Sequence, residues 1–148
     1  MLKGRLIHPE LSQALAAAGH GGRVLLADAN YPVSTATPHT ATRISLNLTS
    51  GMLTVTDVLD VLLDAIPIEG AAVMVPDSGP DPSVFAEFRR LLDRATTGPG
   101  GAPASFSIER LTRHQFYAAA SAPNVAVAVA TGEGRLYANL LLTIGVVA

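Results

Sequence analysis

Gly19-His20-Gly21-Gly22-Arg23-Val24-Leu25-Leu26-Ala27-Asp28 is the stretch whose reading decides the fold. It combines a helix stop, a glycine-flanked bend, an apolar strand and an acid at the strand's far end. Just upstream, His8-Pro9-Glu10 opens a helix, because proline suits the first helical position and an acid suits the positive end of the helix dipole. That helix runs through Leu11, Leu15 and Ala18 and stops at Gly19. Arg23 to Asp28 then reads as a short buried strand, which Asn30-Tyr31-Pro32 breaks.

Working outward, the same alternation recurs. Residues 33–42 are rich in Ser, Thr, Ala and Pro and read as a loop. Thr42 to Leu48 alternates, with Ile44, Leu46 and Leu48 on one face, and predicts a strand. Thr54 to Ile66 predicts a helix: Val55, Leu59, Leu62 and Ile66 form an apolar stripe, with Asp57, Asp60 and Asp64 on another face. Ala71 to Val75 predicts a strand closed by Pro76. Asp81-Pro82 opens a helix through Phe85, Phe88, Leu91 and Leu92, and residues 96–104 read as a flexible loop. Phe106 and Ile108 suggest a short strand, and Thr112 caps a helix holding Phe116 and Tyr117. Val125 to Val129 and Leu140 to Ile144 are the last strands. The turn Gly132-Glu133-Gly134 between them suggests an antiparallel pair and so a mixed sheet. Apolar strands alternating with helices predict one α/β domain over residues 1–148, a three-layer α/β/α sandwich on a mixed, mostly parallel sheet.

Composition narrows the functional classes. Of 148 residues, 49% are hydrophobic and only 15% charged, well below the usual ~25%, which hints that surface is hidden in a homo-oligomer. The net charge of −2, with no basic cluster, argues against a nucleic-acid partner. No apolar run approaches the ~20 residues of a membrane span, and Met1 to Arg5 does not lead into a signal-peptide core. The expected location is the cytoplasm. The absence of cysteine excludes disulfides, thiolate metal sites and cysteine catalysis.

Several residues offer chemistry, each with a plainer alternative. His20, between glycines, has a side chain whose charge changes near cell pH, suited to general acid–base work; it also reads as a surface histidine beside a helix cap. Asp28 stands where ligands gather in open α/β sheets, outside the carboxyl end of a strand, or simply forms a turn. Tyr137 and Asn139, two apart, would point the same way on a strand and present a phenol and an amide together, or would be an ordinary strand face. Arg113, beside His114, carries fixed donors for sugar oxygens or a carboxylate, or is solvated near a helix start. Asp57, Asp60 and Asp64 fit a solvated helix face. His8 and His39 show no ligand spacing, so no metal site is expected.

The order of these pieces resembles the RbsD/FucU family: Gly19-His20, Asp28-Ala29 with Pro32, Thr131-Gly132-Glu133, Tyr137-Ala138-Asn139 and Gly145-Val146. The resemblance spans nearly the whole chain. It implies an isomerase that interconverts ring forms of a free monosaccharide without a cofactor, in ring-like oligomers, commonly decamers, with sites near subunit contacts. By position it makes His20 the catalytic histidine and Asp28, Tyr137 and Asn139 the sugar-contacting residues. Arg113, Tyr117 and Asp81-Pro82 look like the fucose mutarotase branch, whereas Asn30 stands where that branch often has histidine and the segment 43–53 looks closer to the ribose pyranase pattern. The implied function is therefore an L-fucose-like mutarotase acting through His20 with Tyr137 or Asp28. The alternatives are a D-ribose pyranase, a sugar-binding protein without turnover, and a purely structural oligomer.

Overall fold

A computed structural model of the chain describes residues 2–95 and 106–147; the loop expected at 96–104 lies outside the described residues. The elements run α1 (Pro9–Ala18), β1 (Arg23–Ala27), β2 (Thr42–Ser45), α2 (Val55–Leu62), β3 (Ile68–Met74), α3 (Val84–Ala95), β4 (Ile108–Leu111), α4 (Arg113–Ala120), β5 (Val125–Ala130) and β6 (Leu140–Ile144).

Local chemistry sets the helix starts. The Leu11 N–H donates to His8 Nδ1 at 3.2 Å, so a histidine caps α1. In α2 the Asp57 N–H donates to Thr54 Oγ1 at 3.2 Å, and the Thr54 N–H donates back to Asp57 Oδ2 at 2.8 Å. Thr112 and Gln115 make the same reciprocal box at α4. Gly19 ends α1 at φ 69°, a left-handed conformation that glycine adopts without a Cβ penalty.

The six strands form one mixed sheet in the order β2-β5-β1-β6-β3-β4. β1, β5 and β2 are mutually parallel neighbours, as are β3 and β4; β6 runs antiparallel between β1 and β3. On one face Val24, Leu26, Val127, Leu140 and Leu142 pack against α1, α2 and α3, where Phe88 and Leu59 are fully buried. On the other, Leu25, Ala27, Ala72, Met74 and Leu141 pack against Phe116 and Ala120 of α4 and Tyr31. The three-layer sandwich is therefore real but uneven, with three helices on one side and one on the other.

Two expectations fail. β5 and β6 are not a pair, because β1 lies between them. Residues 131–139 are a crossover over the C-terminal end of β1, not a hairpin turn: the Thr131 N–H donates to the Ala27 carbonyl at 3.1 Å and the Ala29 N–H to the Glu133 carbonyl at 2.9 Å. Sequence adjacency suggested pairing, but both strands gain more from the buried central β1. Several bounds also differ. β2 stops at Ser45, α2 at Leu62 and α3 begins only at Val84, while β3 starts earlier, at Ile68.

Gly132 explains how the crossover is seated. A Cβ there would run into the backbone carbonyls of Met52 and Thr49, while its own N–H donates to the Leu53 carbonyl at 2.9 Å and its carbonyl accepts from the Gly51 N–H at 2.6 Å. Gly132→Ala should therefore lower unfolding stability by about 1–3 kcal/mol, the range for forced overpacking. Gly4→Ala, at an open position, should leave the urea midpoint unchanged. Equal midpoints for both variants would refute the close seating.

Candidate active site

The end of β1 carries the chemistry. Beyond Ala27 the chain turns, and Asp28 is left 5% exposed at the carboxyl end of the central strand. Its Oδ1 accepts from the Asn30 N–H at 2.9 Å, and its Oδ2 accepts from Asn139 Nδ2 at 2.9 Å. Asn139 closes the exchange by accepting the Asp28 N–H on Oδ1 at 2.8 Å. A carboxylate and an amide from opposite ends of the chain thus satisfy one another out of water. Burial raises the Asp28 pKa above its ordinary value; the bonds from Asn30, Asn139 and Tyr31 oppose that rise, and the Glu133 charge adds to it.

Asp28 and Asn139 form part of a cavity of about 230 Å³. Arg113, Tyr117 and Tyr137 line it too, with Asn30, Tyr31, Met74 and Leu136. Five of the six residues singled out from sequence therefore meet in one place. The volume lies below the ~300–1,000 Å³ of drug-sized sites and suits a ligand of monosaccharide size. A larger groove of about 550 Å³ lies between the N-terminal segment, α2 and α3. Arg5 in it is held by Asp60 and Asp64 and Glu87 by Arg135, and none of the described buried polar side chains lines it.

Tyr137 and Asn139 do not share a strand face as the sequence suggested. β6 begins only at Leu140, and Tyr137 sits in a turn at φ 61°, the one described non-glycine residue with positive φ. Left-handed backbone costs a side-chain-bearing residue roughly 1–2 kcal/mol, and such strain collects at functional sites. It aims the phenol at Arg113, whose Nη2 donates to Tyr137 Oη at 3.1 Å while the guanidinium carbon lies 5.8 Å from the ring centroid. Arg113 is the first residue of α4, where a cation opposes the helix dipole. Its value there is local, in holding the phenol and facing the cavity.

The aromatic wall was only half legible. Tyr117 stacks on Tyr31 with centroids 5.2 Å apart, and Tyr31 meets Phe116 edge-on at 6.1 Å. In sequence Tyr31 is part of a strand breaker; an aromatic three residues beyond a strand-end acid is its one signal for a site. Burial pushes the Tyr31 phenol up, with Tyr117 and Asp28 adding to it, so it stays neutral. Met74 and Leu136 carry no sequence signal for a site.

His20 is the exception. It stands before β1, at the end of the strand opposite Asp28, and its Nε2 lies 3.0 and 3.1 Å from the Glu69 carboxylate oxygens. Five strand residues span about 17 Å at ~3.3 Å each, so within one chain His20 does not reach the cavity. The two motif pieces bracket β1, and the strand itself separates them. Among the described residues, no three His, Asp or Glu side chains gather as a metal cluster. No described helix is long and apolar enough to cross a membrane.

Glu133, read as a turn residue, is 2% exposed. Burial would raise its pKa, but bonds from the Arg135 side chain and backbone outweigh that and hold the carboxyl below its ordinary value.

Known proteins resemble this chain along its whole length. The sequence model of the RbsD / FucU transport protein family matches residues 1–147. The human protein named fucose mutarotase is 35% identical over 159 residues, covering 99% of this chain and 95% of that protein. A D-ribose pyranase of Variovorax paradoxus is 34% identical over 146 residues, covering 99% and 98%. Among solved structures, the fucose mutarotase of Streptococcus pneumoniae in complex with L-fucose superposes with a TM-score of 0.77 at 30% identity, over 99% of this chain and 100% of that one. Bacillus subtilis RbsD complexed with D-ribose shares the fold at a TM-score of 0.76 and 24% identity, over 100% of both chains.

Two titrations follow. Asn139→Ala strips the Asp28 carboxylate of one donor and its N–H of an acceptor; unmet buried groups should cost about 1–3 kcal/mol, read by urea unfolding. Asp28 titrates higher in the folded than in the unfolded protein, so its stabilising contribution is complete below the unfolded pKa and lost as pH rises through the folded one. Asn139→Ala should push that loss to still higher pH, read from the Asp28 carboxyl carbon by NMR; an unshifted titration would contradict the pairing. Glu133 has the opposite sign. Its contribution is present above the ordinary value of 4.5 and lost as pH falls through the lowered folded pKa, so Glu133→Gln should flatten the acid limb of the stability–pH curve.

Proposed function

The chain belongs to the RbsD / FucU family, and from that premise we propose that it is a monosaccharide mutarotase, binding a free aldose in the cavity at the end of β1 and catalysing its ring opening and reclosure. One observation carries the reading. Asp28, Arg113, Tyr117, Tyr137 and Asn139, drawn from both halves of the chain, line the same small cavity.

Opening a hemiacetal needs one proton taken from the anomeric hydroxyl and one delivered to the ring oxygen. Asp28, already short of solvent, takes a hydrogen bond from a sugar hydroxyl, and Asn139 and Arg113 fix neighbouring oxygens. The Tyr137 phenol, polarised by the Arg113 guanidinium, is placed to donate or receive a proton. His20 enters from a second copy of the chain. With Nε2 held on Glu69, its Nδ1 is left as the free ring nitrogen, suited to a general base. A homo-oligomer is thus part of the proposal, and it agrees with the low charged fraction and with Leu48 and Val147 lying 84% and 86% exposed.

Within this class an L-fucose-like sugar is the leading substrate. Met74, Leu136 and the Tyr31–Tyr117 stack give the cavity an apolar wall, against which the methyl group of a 6-deoxy sugar can pack. D-ribose is the second reading, supported by ribose pyranases at nearly the same identity as the fucose mutarotase.

Saturation-transfer NMR on L-fucose and D-ribose tests both. Wild type should exchange the anomers faster than buffer. His20→Ala and Asp28→Asn should each lose about 10²–10⁴-fold, the usual share of positioned acid–base catalysis. Mixed oligomers of the two inactive variants should regain part of the rate, since some sites then draw both intact residues from different copies. Rates no faster than buffer for every aldose tested would remove the proposal; full activity in His20→Ala would remove the histidine.

A further inference from the structure

Tyr137 is held in a left-handed turn, and a strained turn persists only where its surroundings over-determine it. Downstream the anchor is Asn139, locked to Asp28, where β6 begins. Leu136 cannot be the upstream anchor, since it is 66% exposed. That leaves Arg135. Its backbone N–H and Nε both donate to Glu133 Oε1, at 3.0 and 2.9 Å, and its Nη2 donates to Glu133 Oε2 at 2.8 Å. Its remaining fork arm, Nη1, donates to Glu87 Oε1 on α3 at 2.7 Å. The Glu133 carboxylate is buried and also stabilised by the Val55 backbone at the first turn of α2. Two residues before the phenol, a planar guanidinium thus joins the crossover to α3, and the Glu133 carboxylate it holds meets the first turn of α2.

We infer that Arg135 is a positioning residue: its fork on Glu133 and Glu87 sets the turn that presents Tyr137 to Arg113 and the cavity. Arg135 does not line the cavity and acts only through that turn. The inference rests on the mutarotase reading for its catalytic consequence, but not for its structural one. Lysine keeps the charge and loses the rigid fork, so Arg135→Lys separates geometry from electrostatics.

The test measures Arg135→Lys in two ways. Backbone NMR order parameters at residues 136–139 should fall from the rigid range near ~0.85 to below ~0.6 while those in β1 and β3 stay unchanged. Aldose exchange should fall about 10–100-fold in kcat, as small misplacements of reacting groups do, with KM changed less than threefold. The double variant Arg135→Lys, Tyr137→Phe should be no slower than Tyr137→Phe alone, because Arg135 then has no phenol to place. Unchanged order parameters at 136–139, a fall spread over the whole protein, or rate losses that multiply would each overturn the inference. A wild type that accelerates no aldose would instead remove the proposed function, and the order parameters would still decide whether Arg135 holds the turn.

Discussion

The reciprocal bond between Asp28 and Asn139 is the contact on which the site depends. It fastens the end of β1 to the residue before β6, and so fixes where the crossover must pass. The chain leaves β5 on one side of β1 and must enter β6 on the other. Residues 131–139 have to climb over the end of β1, and that climb builds the cavity roof. Gly132 lets the climb start close against the 49–53 segment, and the Asp28–Asn139 pair ends it. Everything between, including the Tyr137 turn, hangs from those two points.

Two buried carboxylates flank this crossover and are treated oppositely. Burial pushes both upward. Glu133 receives a guanidinium and is drawn below its usual value, a fully compensated structural ion. Asp28 receives only neutral donors, an amide side chain and backbone N–H groups, and remains above its usual value. An acid whose charge is incompletely compensated responds to further hydroxyl donors, whereas one clamped by arginine does not. The carboxylate at the end of β1 lines the cavity and the one in the crossover does not.

Much of this was legible from the residues. The apolar run 24–27 between Gly22 and Asp28 marks a central strand, since such a run must be covered on both faces. Thr54 and Thr112 mark helix starts because their caps are local chemistry, complete within four residues. Asp28, Arg113, Tyr117, Tyr137 and Asn139 were all identified beforehand. Tyr31 and the Glu133–Arg135–Glu87 link were not, because an aromatic stack and an ion pair 48 residues apart depend on packing that no local pattern encodes.

By itself the sequence determined the alternation of helices and strands, the family, and the residue types brought to the site, because periodicity, capping and motif order are properties of short segments. Only the tertiary structure decided that β1 separates β5 from β6, that Tyr137 lies in a strained turn and not on a strand, and that His20 stands a strand's length from Asp28. The physical reason is common to all three. Strand order and side-chain direction follow from which buried surfaces meet across the sheet, a competition between segments far apart in the chain.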